Sequence, residues 1–414
     1  MDTATPSSLR LLEQRPFVLF WLARVAATIG SQMMALLIGW QVYALTGSAF
    51  DLGLVGLIQF VPQVVLTLLI GHAADRYDRR LIVRNAQIVY ALAAAMVTFA
   101  MSRGAVTRDL LFAAVFMIGC ARAFELPTGH SLVPSLVPQK LLARAVAAWA
   151  SANQVAVIGG PALGGLIYAF NPVIVAVLCT VFFTAGVVFV SFVRPRGQPE
   201  RREPPTLRSA LTGFDFIRHR PRLLGVISLD LFVVLLGGAT ALLPVYAKDI
   251  LDSGPIGLGL LRSAPAVGAL VTTVLLSHYP IERRIGPAMF ASVAIFGVAT
   301  IVFGLSTWMP LSLVALAVLG ASDSISVVIR FTLVQIETPE DKRGRVSAVN
   351  YLFVGSSNTL GDFESGTVAA WLGAVPAVLI GGIGSLLIAG LWMLLFPTLR
   401  RIDRYNPAND SERA

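Results

Sequence analysis

Charged side chains set inside long apolar runs are where this sequence can do chemistry. Asp323 lies about 13 residues past Pro310, or roughly 20 Å into such a run at 1.5 Å per residue. A charge at that depth is costly and is expected to face a cavity or a partner. Asp323 therefore has two readings: a carboxylate that takes up and releases a proton, or one member of a fixed pair with Arg330 or Arg24. Arg24 and Asp230 each stand about two turns into an apolar run and are candidates for pairing with one another. Asp362 and Glu364 put two carboxylates into a third run, about 200° apart on a helix, so they cannot share a partner. Arg262, about two turns into its own run, can attract an anionic group or snorkel to the surface.

A second concentration of charge is the stretch Gly71-His72-Ala73-Ala74-Asp75-Arg76-Tyr77-Asp78-Arg79-Arg80, between apolar runs of about twenty residues. Five Asp and Arg in so short a stretch cannot sit in hydrocarbon, which predicts a short loop at a membrane surface. His72 and His130 fall near the same surface and are expected to be solvated.

Composition supplies the elements that position these groups. Of 414 residues 56% are hydrophobic and 13% charged, where soluble domains carry about 25% charge. An all-α integral membrane protein is expected. Cys120 and Cys179 lie within apolar runs at no metal-type spacing, so neither disulfides nor a metal site is expected, and no cofactor is implied. The polar segment Met1–Pro16 has no apolar core followed by a cleavage site, so no signal peptide is read.

The apolar runs predict twelve spans, at 17–44, 51–71, 81–101, 108–126, 142–169, 173–193, 222–247, 255–278, 286–305, 310–331, 345–371 and 375–396. Counting charges at span ends (Arg84, Arg108, Arg144, Arg222 and Arg345) with the adjoining connections, Arg24, Arg122, Arg262 and Arg330 fall inside spans, and Arg103, Arg108 and Lys248 fall on one side. The other 25 of the 32 Lys and Arg fall on the side of both termini, which marks it as cytoplasmic. The net charge of +9 is thereby accounted for without nucleic acid. The Pro-rich, charged stretch between Arg194 and Arg222 reads as a linker, dividing the chain into a six-helix half (1–193), a cytoplasmic linker (194–221) and a second half with its tail (222–414). Within the linker, Leu207, Leu211, Phe214 and Ile217 recur at helical spacing, as in an amphipathic surface helix.

The halves echo one another. Arg15-Pro16 returns as Arg220-Pro221, Val42-Tyr43-Ala44 as Val245-Tyr246-Ala247, and Gly56, Pro62 and Arg80 as Gly259, Pro265 and Arg283. Gly119, Pro138 and Arg144 return as Gly320, Pro339 and Arg345, and Gly160 and Gly165 as Gly361 and Gly366. Against this background Arg122 corresponds to Asp323, Gln59 to Arg262, and Pro161 and Leu163 to Asp362 and Glu364.

The charged stretch resembles the loop after the second helix in the major facilitator superfamily of transporters. Gly71, Asp75, Arg76, Arg79 and Arg80 match its pattern, while Asp78 stands where the superfamily usually has Gly. The resemblance implies two parallel six-helix pseudo-repeats with the substrate site near the membrane midplane. It also implies that the stretch is a conformational latch. Gly160-Pro161-Ala162-Leu163-Gly164-Gly165 resembles the core of the motif found in antiporters of the superfamily, with Ala147 and Ala156 at its earlier glycine positions. Phe124-Glu125-Leu126-Pro127-Thr128, the run Thr338 to Asn350 and Gly361 to Gly366 are similar to the enterobactin-exporter branch.

That branch implies a proton-driven efflux transporter of the cell inner membrane, carrying a siderophore or a lipophilic drug-like molecule. A proton-coupled importer or facilitator of a small metabolite shares the fold and is the alternative. The expected partners are a small-molecule substrate, protons and the lipid bilayer, with no nucleic acid, for a protein acting as a monomer. No nucleophile, base or metal constellation points to an enzyme.

Overall fold

A computed structural model describes residues 9–194 and 214–405; the side chains of residues 67–76 and of some scattered helical positions lie outside that description. The first part of the expected surface helix, with Leu207 and Leu211, is outside it too. Of the second part, Ile217 is buried and Phe214 exposed.

Among the described residues twelve long helices follow one another: α1 Arg15–Thr46, α2 Ala49–Arg76, α3 Arg79–Ser102, α4 Arg108–Leu132, α5 Leu142–Phe170 and α6 Pro172–Ser191, followed by α7 Pro221–Leu236, α8 Gly254–His278, α9 Ile285–Leu305, α10 Met309–Glu337, α11 Glu340–Leu372 and α12 Ala374–Leu395. Among the described residues ten segments are long and apolar enough to cross a membrane. The remaining two long helices, α4 and α11, contain Arg122 with Glu125 and Asp362 with Glu364.

Two expectations about where helices stop are corrected. The stretch from Gly71 to Arg80 is not a loop, because α2 runs on to Arg76 and α3 starts at Arg79, leaving Tyr77 and Asp78 as the connection. An apolar run ends where lipid ends, but the i→i−4 hydrogen bonds continue until something caps or breaks them. Here Asp78 does so, its carboxylate accepting from the Arg80 N–H at 2.9 Å. The span expected at 222–247 is likewise interrupted. Helix α7 stops at Leu236, and Gly237 and Gly238 lead into a 3-10 turn at Ala239–Leu242, a short α turn at Leu243–Val245 and a π turn at Tyr246–Ile250. Pro244 has no N–H to give to a regular ladder, and Gly238 lies against the Gly361 carbonyl and Ser365 of α11, where a side chain has no room.

Contacts divide the chain into two compact units, Met1–Leu45 with Ile58–Pro204 and Thr46–Leu57 with Pro205–Ala414. In the first, Tyr90 of α3 stacks on Phe183 of α6 at 5.1 Å, and Phe17, Phe20, Val83, Leu132, Leu136 and Val190 share one buried cluster. In the second, the Tyr246 hydroxyl donates to the Gly304 carbonyl of α9 at 2.9 Å, and the Trp392 indole of α12 donates to Ser228 of α7 at 3.1 Å. The repeat is visible in the packing. Gly119 lets α4 close on the backbone of Gln59 in α2, and Gly320 lets α10 close on the backbone of Pro265 in α8.

Residues 49–57 of α2 pack within the second unit. A Cβ at Gly53 would stand 3.0 Å from the Phe363 carbonyl oxygen, and one at Gly56 would stand 3.0 Å from Asp362 Cβ.

Candidate functional site

Each unit holds one cluster of in-span charges built around a shared ion pair. In the first, Arg24 of α1 is ion-paired with Glu125 of α4, and both side chains are largely buried. Gln87 of α3 donates to the same Glu125 oxygen at 2.6 Å. On its other side the Arg24 guanidinium lies 5.7 Å from the Trp149 ring centroid, and Trp149 meets Phe20 edge-on at 5.5 Å. Burying a guanidinium costs little only when its charge is met and its stem packed, and these neighbours supply both.

In the second unit Arg330 of α10 is ion-paired with Asp230 of α7, and its other terminal nitrogen lies 3.5 Å from Asp323. Its Nε donates to the Ser326 carbonyl at 3.2 Å, fixing the fork between the two carboxylates. The two acids differ in access: the Asp230 side chain is 12% exposed and that of Asp323 44%. Arg24 and Asp230, expected as candidates for pairing with one another, each have an opposite charge within their own unit, Glu125 and Arg330.

The two clusters stand in register with opposite signs. Arg24 lies nine residues into α1 and Asp230 nine residues into α7. Glu125 lies seven residues from the end of α4, and Arg330 seven from the end of α10. The third correspondence, Arg122 with Asp323, is inverted as well. The cluster of unit one thus holds two cations and one anion, and that of unit two holds two anions and one cation.

The acids of α11 point to different neighbours. Asp362 lies 3.5 Å from the Thr240 hydroxyl, beyond the α7 break, and against Gly56. Glu364 accepts from the Ser365 hydroxyl at 3.3 Å. Arg262 of α8 lies within electrostatic range of Asp362, and its buried Nε has no hydrogen-bond partner among the described residues.

Of the sequence motifs, Gly160 lets α5 approach Gln32 and the Ile29 carbonyl of α1, and Gly164 lets it approach Met33. Gly165 is buried, and α5 remains helical through Pro161. Of the charged stretch, Gly71, Asp75 and Arg76 belong to the end of α2, and their side chains lie outside the description. Arg79 opens α3. Arg80 donates through Nε to the Val190 carbonyl at 3.2 Å and through a terminal nitrogen to the Ser191 carbonyl, closing the end of α6.

Glu125 was not read from the sequence as the partner of Arg24, and Arg330 was read as a partner of Asp323 but not of Asp230. The signal was present in the repeat, because the step from Arg24 to Asp230 is nearly that from Glu125 to Arg330.

The sequence signature of the transmembrane secretion effectors, MFS_3, matches residues 6–412. The chain belongs to that family. Among curated proteins, this MFS_3 chain is 25% identical over 412 residues to the enterobactin exporter EntS of Citrobacter koseri, covering 97% of each. It is 23% identical over 337 residues to macrolide efflux protein A of Streptococcus pyogenes, covering 80% of this chain and 83% of that one. Its fold is shared with a bacterial homologue of the iron transporter ferroportin, with a TM-score of 0.71 and 20% identity over 96% of this chain and all of the other. It is also shared with a bacterial homologue of the lysosomal transporter Spinster, with a TM-score of 0.74 and 13% identity over 95% and 99%. This MFS_3 member is a multi-pass membrane transporter of the major facilitator type with a small-molecule substrate, and not an enzyme.

Proposed function

We propose that this transporter exports an amphiphilic small molecule, a siderophore or a lipophilic drug-like compound, across the inner membrane in exchange for protons, with both termini cytoplasmic. The observation that carries the reading is the sharing of Arg330 between Asp230 and Asp323. One guanidinium balances one carboxylate, so the cluster bears one negative charge in excess inside the membrane. The more exposed acid, Asp323, is the one that solvent protons reach. Its protonation leaves Arg330 balanced by Asp230 alone and removes the excess charge, so conformations of the cycle that solvate that charge differently are populated according to the protonation of Asp323. Export, rather than uptake, is supported by the efflux proteins to which the chain is similar. Asp75, Arg76, Arg79 and Arg80 act as the latch of the cycle, and Gly160 to Gly165 set the close approach of α5 to α1.

The test compares cells and culture supernatants of a strain lacking the protein, under iron starvation and with drugs added, against strains carrying the intact chain or Asp323→Asn. A compound retained by the deletion strain should be released by the intact chain and retained again with Asp323→Asn. Release by Asp323→Asn at the intact rate, still sensitive to collapse of the proton gradient, overturns the coupling role. Asp75→Asn should lower export while leaving the protein folded, and normal export would remove the latch.

A further inference from the structure

Arg122 is the one charge of the first cluster that the ion pairs do not use. It lies in the middle of α4, exposed, and has no ion pair or hydrogen bond among the described residues. Glu125, one turn away, is already held by Arg24 and Gln87. At 3.6 residues per turn Arg122 projects within roughly 60° of Leu111, Val115, Ile118, Glu125 and Gly129. Those residues are buried or half-buried. The exposed apolar residues of the same helix, Ala113 and Phe116, project roughly 120–180° away. The guanidinium is therefore accessible on the face that α4 turns away from lipid. Tyr90 of α3 lies within electrostatic range of Arg122 as well as of Arg24 and Glu125.

An accessible cation at mid-span needs water and an anion to be kept there at tolerable cost. The guanidinium fork matches a planar oxyanion, which it can hold by two parallel hydrogen bonds. We propose that Arg122 is a substrate-binding residue that recognises an oxyanion group, a carboxylate or phenolate, on the transported amphiphile. This rests on the reading of the chain as an exporter of amphiphiles and names the charge its substrate carries. It also gives the inverted clusters separate tasks: the surplus cation of the first unit receives the substrate's acid group, while the surplus acid of the second receives the proton.

The experiment measures binding of 4-(1-pyrenyl)butyrate and of its uncharged methyl ester to the purified full-length chain in nanodiscs. Energy transfer from tryptophan to pyrene is the signal, and protein-free nanodiscs supply the background. The intact chain should bind the carboxylate about tenfold more tightly than the ester. Arg122→Gln should bind the two alike, with affinity for the ester unchanged, and Arg122→Lys should keep part of the preference. Equal binding of both probes by the intact chain overturns the proposal and requires no variant. A preference that survives in Arg122→Gln, or a loss by that variant of both probes in proportion, overturns it too. No gradient is present, so Asp323→Asn should retain the preference even where it has lost export, and failure of the coupling role is read separately.

Discussion

Asp230 and Asp323 meet one guanidinium from unlike surroundings: Asp230 is buried beside Arg330, and Asp323 reaches it at 3.5 Å with nearly half its side chain accessible. Removing a buried partner strands a charge, whereas removing an accessible one lets water take its place. Asp230→Asn, which leaves Arg330 only the more distant Asp323, should therefore cost about 1.5–3 kcal/mol of stability. Asp323→Asn should unfold close to the intact temperature. Thermal unfolding of both variants in the same detergent checks this, and equal losses would make Asp323 structural.

The pair in the first unit serves as a clamp between α1 and α4, with polarity that the second unit shows to be reversible. Arg24→Glu and Glu125→Arg should each leave like charges together and lose about 3–5 kcal/mol. The double reversal should recover most of that loss. Size-exclusion profiles and unfolding temperatures of the three variants decide it, and a double variant no better than the singles would mean that Gln87 and Trp149 fix the direction.

Close helix packing makes two glycines respond oppositely. A side chain at Gly320 runs into the backbone of Pro265, so Gly320→Val should cost about 1–3 kcal/mol or more by overpacking. At Gly355 of α11 a Cβ meets nothing within 4 Å, and Gly355→Ala should gain about 0.5–1 kcal/mol by restricting the unfolded chain. Unfolding temperatures measured side by side check both signs.

The chain beyond α12 closes the start of α9. The Gly286 N–H donates to the Ile402 carbonyl at 2.9 Å, and the Arg284 N–H to the Asp403 carboxylate at 3.2 Å. Asp403→Ala should cost about 1 kcal/mol, the usual worth of such a cap. Burial pushes the Tyr405 phenol above its ordinary 10, with a hydrogen bond to Thr332 acting against the shift. Its contribution is therefore complete below about pH 10 and is lost as pH rises through the folded-state value. A loss of stability on the alkaline side that Tyr405→Phe abolishes would show this.

The spans were legible because hydrocarbon demands long apolar runs, and such runs survive in a single sequence. Helix ends were less so. Arg76 and Glu337 still lie in helix where the expected spans had already closed, at 71 and 331, because hydropathy marks lipid and not hydrogen bonding. The break at Gly237 and Gly238 was written in the adjacent glycines and in Pro244, but an apolar average conceals it. At the site, single charges in apolar runs were conspicuous, and Arg330 stood close enough in sequence to be expected beside Asp323, while distant partners were not legible. Arg24 and Glu125 are 101 positions apart, and only packing decides which opposite charge each one meets.

The two-residue connection after α2 has a mechanical meaning. Had Asp75 and Arg76 stood on a free loop, each could have swung by itself. They are carried instead at the tip of a 28-residue helix, roughly 42 Å long, that begins at Ala49 beside Gly366. In a helix of that length the backbone hydrogen-bond ladder fixes the spacing of its two ends, so Asp75 and Arg76 move with the helix and not by themselves.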